Sequence, residues 1–167
     1  MDFCADVNMI DSKNWTPITM AISTANLDVL EYLIINGGNV NLQAGSGQTP
    51  ITKAIEEEKI DIVRFLCKNG ADLDMLDSNG WTRINKSILK NNLEILKLLI
   101  ERGANVDLID DLNWTPLTKA IDLNKKEIAK VLIENGANLN LLGPKTWSPI
   151  QKAISKGNFE ILKLLSN

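Results

Sequence analysis

The sequence predicts an all-α solenoid, a single domain over residues 1–167 made of stacked helix–turn–helix units with β-hairpin-like finger loops. Three observations carry that expectation. A Thr or Ser recurs every 33 residues without insertion, at Thr16, Thr49, Thr82, Thr115 and Ser148, and a fixed period of that length marks a repeat array. Pro follows at 17, 50, 116 and 149, with Arg83 as the single exception. A Gly series with the same spacing, Gly37, Gly70, Gly103 and Gly136, runs into the blocks Gly-Ala-Asp-Leu-Asp (70–74), Gly-Ala-Asn-Val-Asp (103–107) and Gly-Ala-Asn-Leu-Asn (136–140). Extended backwards it reaches Cys4, so that Cys4-Ala5-Asp6-Val7-Asn8 is the tail of the same unit. The chain divides into a repeat tail (1–10) and repeats at about 11–43, 44–76, 77–109, 110–142 and 143–167, the last truncated.

Each element of the unit has a physical reason. Thr or Ser before Pro is a helix start: the hydroxyl caps an orphan N–H, and Pro at the first helical position lacks one anyway. In Pro50-Ile51-Thr52-Lys53-Ala54-Ile55 the apolar Ile51, Ala54 and Ile55 fall on one helical face. After a polar break comes a second helix, such as Leu93–Ile100, with an acid near its start (Asp28, Asp61, Glu94, Glu127, Glu160) that suits the positive end of the helix dipole. The Gly series then stops that helix. The stretch 106–113 alternates and turns, which reads as an extended finger. Two residues before each capping hydroxyl stand Asn14, Gly47, Gly80, Asn113 and Thr146, four of them types that tolerate a left-handed turn. Arg83 occupies a first helical position where Pro is expected to fit and to stabilise by roughly 0.4–1 kcal/mol. With Arg83, Asn85 and Ser87, the third repeat is the most divergent and is expected to be the softest link.

The 33-residue period, Thr-Pro-Leu-Thr-Lys-Ala (115–120) and the Gly-Ala-Asn/Asp blocks resemble the ankyrin repeat, and they do so over nearly the whole chain. One departure is systematic: where that family carries His, this chain has Thr19, Thr52, Asn85, Thr118 and Gln151, all polar side chains able to hydrogen-bond neighbouring backbone. The resemblance implies a protein-binding module that holds a macromolecular partner on a concave finger and inner-helix face, as scaffold, adaptor or inhibitor. Two alternatives stay open: a targeting or regulatory arm of a larger enzyme or channel, and a structural stack that self-associates end to end.

Composition argues against catalysis. Histidine is absent, which removes the commonest general base and the commonest metal ligand. Glu56-Glu57-Glu58 is the one local acid cluster, but three successive helical residues diverge rather than converge. Gly45-Ser46-Gly47 lacks the Lys of a phosphate loop. No catalytic residue, cofactor or metal is expected. The net charge of −3 gives no reason to expect nucleic-acid binding. Without a signal peptide or an apolar run of membrane length, the expectation is a cytoplasmic or otherwise intracellular protein with no membrane contact. Cys4 and Cys67 lie almost two repeats apart, too far for a disulfide, and Cys67 reads as an inert core thiol. The last helix keeps Ile161, Leu162, Leu164 and Leu165, part of whose surface should stay exposed.

Trp15, Trp81, Trp114 and Trp147 share the position just before the capping hydroxyl, with Gln48 in the fifth place. Residues one period apart point the same way, so the indoles form a column along the fingers. They either brace the fingers or meet the partner. The resemblance places this position on the binding side, together with Glu56 and Glu57 in the second repeat, Leu89 and Lys90 in the third, and Leu112 and Leu123 in the fourth. Trp81 and Trp114, with those leucines, are the expected centre of contact.

Overall fold

The computed structural model describes residues 5–44 and 47–166; Cys4, the Gly45-Ser46 turn tip and Asn167 lie outside them. The described residues hold ten α-helices, one 3-10 turn (Pro144–Thr146) and no strand. First helices of the repeats are α1 (Pro17–Ser23), α3 (Pro50–Glu56), α5 (Arg83–Lys90), α7 (Pro116–Asp122) and α9 (Pro149–Ser155). Second helices are α2 (Leu27–Ile35), α4 (Ile60–Lys68), α6 (Leu93–Glu101), α8 (Lys126–Glu134) and α10 (Phe159–Leu165).

Every first helix begins as its sequence requires. Thr16, Thr49, Thr82, Thr115 and Ser148 each accept a hydrogen bond from the N–H three residues on. Thr19, Thr118 and Gln151 return the bond, accepting from the capping residue's own N–H at 2.8, 3.1 and 2.9 Å. Two orphan donors are satisfied at each of these starts. Asn26, Asn92 and Asn158 cap α2, α6 and α10. Lys59 precedes α4 without a side-chain cap and sends its ammonium to the carbonyls of Ile22 and Ser23 at 2.6 and 2.7 Å, the negative end of α1. Gly37, Gly70, Gly103 and Gly136 take φ of 83–90° just past the second helices.

The fingers are hairpin-shaped without a strand ladder. In each repeat one closing bond runs from the N–H of residue 11, 44, 77, 110 or 143 to the carbonyl four residues on, at 2.9–3.2 Å. The tight turn inside it leaves no length for further pairing.

The chain forms two compact units, one up to Asp72 and one from Leu73. In the first, α1 packs on α2 and α3, and α3 on α4. In the second, α5, α7 and α9 form one layer and α6, α8 and α10 the other. The cores are aliphatic: Ile22, Leu30, Ile55 and Leu66 in the first unit and Ile88, Leu99, Ile121 and Leu132 in the second are all sealed from solvent.

Two expectations need correction, and one holds in part. Arg83 does sit at the first helical position, but it is a fully buried side chain, with Asn85 and Ser87 buried beside it in α5. The divergent third repeat has therefore placed polar residues in its interior. Cys67 is half-buried rather than core, because Ile34, Ile100 and Ile133 at the same repeat position are half-buried too. In the last helix Leu162, Leu164 and Leu165 keep part of their surface exposed, as expected, while Ile161 is sealed; the more exposed apolar side chains of that repeat are Ile150, Ile154 and Phe159.

Candidate functional site

An aspartate fixes three of the fingers. The Oδ1 atoms of Asp11, Asp77 and Asp110 accept from the N–H two residues on, at 2.8, 2.9 and 3.0 Å. They also accept from the N–H of Trp15, Trp81 and Trp114, at 2.8, 2.9 and 2.8 Å. Each indole thus grows from a backbone that is already held. Asp110 is buried, and its second oxygen takes a bond from Asn85 Nδ2 at 3.0 Å, tying α5 to the next finger. The buried Asp77 takes the Lys86 ammonium at 2.6 Å. Burial alone would raise the Asp77 carboxyl, but Lys86 and the finger N–H groups outweigh it and hold it below its ordinary value.

All four indoles are half-buried, and each meets a lysine. Lys53 lies 4.2 Å from the Trp15 ring centre. In the second unit the side chains alternate. Lys119 sits 4.3 Å from Trp81 and 4.6 Å from Trp114, and Lys152 sits 4.9 Å from Trp114 and 5.5 Å from Trp147. An ammonium over an indole face is attracted by the ring quadrupole, more so when water is excluded. Loss of water lowers the Lys119 pKa, while Asp110 and Asp122 oppose that fall. Asp122 also receives Lys152 and Lys156 at 2.7 and 2.9 Å; burial would raise its carboxyl, and these two bonds lower it overall.

The remaining candidates divide. Leu112, on the fourth finger, is 56 % exposed, and Leu89, in the last turn of α5, is 42 % exposed. Lys90 is exposed at the end of α5, and Leu123 is half-buried as the C-cap of α7. In the first unit Glu56 accepts from Gln48. Glu57 is clamped by Lys53 at 2.8 Å, Lys59 at 2.7 Å and Ser23 at 3.1 Å. Burial acts to raise Glu57, yet these three donors bring it down to about 2. Among the described residues no three His, Cys, Asp or Glu side chains gather as a metal site.

The lysine series Lys53, Lys86, Lys119 and Lys152 escaped the sequence reading, although it has the same 33-residue spacing as the indoles. That shared period was the available signal. Exposed Ile109 and Leu142 form a second such pair on the fingers.

No curated protein matches the chain. A family model described as ankyrin repeats (3 copies) matches residues 1–77, 26–110, 69–143 and 88–167, which together span the sequence. With helix pairs, capped starts and finger turns repeating at one period, the chain belongs to the ankyrin repeat family, whose members are in general protein–protein interaction modules and typically not enzymes.

Proposed function

We propose that the chain binds a protein partner on the finger and first-helix side of its second unit, as a scaffold, adaptor or inhibitor. Leu112 and Leu89 are the apolar contact points, with Lys90 and Leu123 beside them at the helix ends. The alternating Trp81, Lys119, Trp114, Lys152 and Trp147 side chains form the support from which these contacts rise. The observation that carries this reading is Leu112: a large apolar side chain more than half exposed on a finger whose backbone Asp110 holds at both Leu112 and Trp114. A contact already held in place loses little freedom on binding, and that is how a small surface gains affinity. Trp15, Glu56 and Glu57 belong to the first unit, where Glu57 is occupied by its own lysines; they are secondary here.

The test replaces Leu112 and Leu89 by Lys, with Trp15→Ala as the comparison and capture from cell extract, followed by quantitative mass spectrometry, as the readout. For the protein captured by the wild type, Leu112→Lys and Leu89→Lys should weaken binding about 30-fold or more, the scale of an interface hot spot. Trp15→Ala should leave it within a few-fold. Undiminished capture by the double Lys variant, with its melting temperature retained, would overturn the assignment.

A further inference from the structure

In the second unit two lysines each lie between two indoles, one from the preceding repeat and one from their own. Lys119 meets Trp81 and Trp114, and Lys152 meets Trp114 and Trp147. Lys53 holds the same position in α3. Its ammonium lies 4.2 Å from the ring centre of Trp15, the indole of the preceding repeat, but its own repeat carries Gln48 in the indole position. A Gln side chain does not fill the space of an indole. A cavity of about 180 Å³ opens there, lined by Trp15, Gln48 and Lys53 together with the exposed Lys13 and Asn14 of the first finger.

The walls of this cavity are already held. Asp11 accepts from the Trp15 N–H at 2.8 Å, and the Glu57 carboxylate lies 2.8 Å from the Lys53 ammonium. The Gln48 carbonyl accepts from the Ala44 N–H at 3.2 Å, and its side-chain amide donates to Glu56. A site ordered in advance loses little freedom on binding. Size and lining then select the ligand. A cavity of about 150 Å³ holds a benzene ring, so this one takes a single six-membered ring with a polar substituent. An aromatic ring gains from the ammonium beside it and from packing on the Trp15 indole, whereas an aliphatic side chain gains nothing from the charge. An anion gains little either, because Glu57 already neutralises Lys53. With the Gln48 NH₂ given to Glu56, its amide oxygen is left to accept a hydroxyl. A phenol meets all of these conditions.

We propose that the first unit binds a tyrosine side chain of a protein partner in this cavity, the phenol ring taking beside Lys53 the place that a second indole takes beside Lys119 and Lys152. A polypeptide is the source of the ring, since the family's members in general bind proteins. The site uses neither Leu112 nor Leu89 and is separate from the contact on the second unit.

The experiment follows the isotope-labelled protein by NMR as N-acetyl-tyrosinamide is added, with the matching phenylalanine and leucine amides and adenosine as comparisons. The Trp15 indole N–H signal, assigned by its loss in Trp15→Leu, should shift saturably with the tyrosine amide. It should shift less with the phenylalanine amide and stay in place with the leucine amide and adenosine. Gln48→Trp supplies the second indole and fills the cavity, so it should abolish the shift. Lys53→Met keeps the stem and removes the charge; it should weaken binding about 2- to 5-fold, the scale of one cation–π contact. Melting followed by circular dichroism checks each fold, and Lys53→Met carries the comparison if Gln48→Trp does not melt cooperatively. Random peptides on phage, selected on the wild type and depleted on the cavity variant, should converge on one fixed tyrosine. Leu112→Lys should leave all of this unchanged, which separates a failure here from a failure of the second-unit contact. No saturable shift, an equal shift with the leucine amide, a larger one with adenosine, full binding by a folded Gln48→Trp or Lys53→Met, or selected peptides without tyrosine would each overturn the proposal.

Discussion

Thr146 holds a β-branched side chain at φ 58°, where Asn14, Gly47, Gly80 and Asn113 occupy the same turn at φ between 61° and 71°. The left-handed region costs an ordinary residue about 1–2 kcal/mol, and Asn less. Thr146→Asn should therefore stabilise the protein by about 0.5–1.5 kcal/mol, read as a higher urea midpoint; a lower midpoint would mean that the turn is held by Thr146 itself. The turn between helices forms a second left-handed series, Ala25, Glu58, Asn91, Asn124 and Gly157. It was not legible in the sequence, because no single residue type marks it. Arg83 shows the opposite limit. Its backbone position suits Pro, but its side chain is buried, and the roughly 0.4–1 kcal/mol from a stiffer unfolded chain is smaller than the cost of emptying a core site, about 2–5 kcal/mol. Arg83→Pro should lower stability by about 1–4 kcal/mol, reversing the expectation from sequence, and an unchanged or higher denaturation midpoint would restore it.

Among the elements, the helices were legible because capping and helix termination are local: Thr-Pro, the early acid and the late Gly each act within a turn or two. In the second unit the succession of Trp81, Trp114 and Trp147 was legible from its period, but Lys119 and Lys152 were not recognised as the partners between them, since Lys on a short helix reads as a solvated face. Side-chain ladders between repeats were missed for the same reason. The Oδ1 atoms of Asn8 and Asn41 accept from the N–H of Asn39 and Asp72, and those of Asp74 and Asp107 from Asn105 and Asn138, at 2.7–2.9 Å. Each joins residues 31 apart, a relation that only the packed repeats create. The finger aspartates give this a measurable form. Asp110→Asn would set an NH₂ group against the Nδ2 of Asn85 inside a site that is 4 % exposed. Two donors facing each other away from water should cost about 1–3 kcal/mol. Among the described residues the exposed Asp11 bonds only through Oδ1 in its finger, an atom Asn retains, so Asp11→Asn should stay within about 0.5 kcal/mol. Equal losses in urea unfolding would show that the α5-to-finger bond contributes nothing.

Over the whole molecule the lowered carboxylates link stability to pH. Glu57 in the first unit falls to about 2 from an ordinary 4.5, and Asp77 and Asp122 in the second are lowered as well. A carboxyl with a depressed folded pKa binds its proton more readily when unfolded. Its contribution is therefore complete above the unfolded value and disappears as pH falls through the folded one. For Glu57 that window runs from about pH 5 down to about pH 2, with a contribution on the order of 1–3 kcal/mol after allowance for its partial exposure. Glu57→Gln keeps the side-chain length but removes the charge that Lys53 and Lys59 hold. Urea unfolding at neutral pH should show the variant less stable than the wild type, and the difference should shrink steadily as the pH is lowered through that window. At the acid end both proteins carry an uncharged group at position 57, so their midpoints should meet. A constant gap at every pH would mean that Glu57 acts through its hydrogen bonds alone, and that the acid sensitivity resides in the second unit, at Asp77 and Asp122.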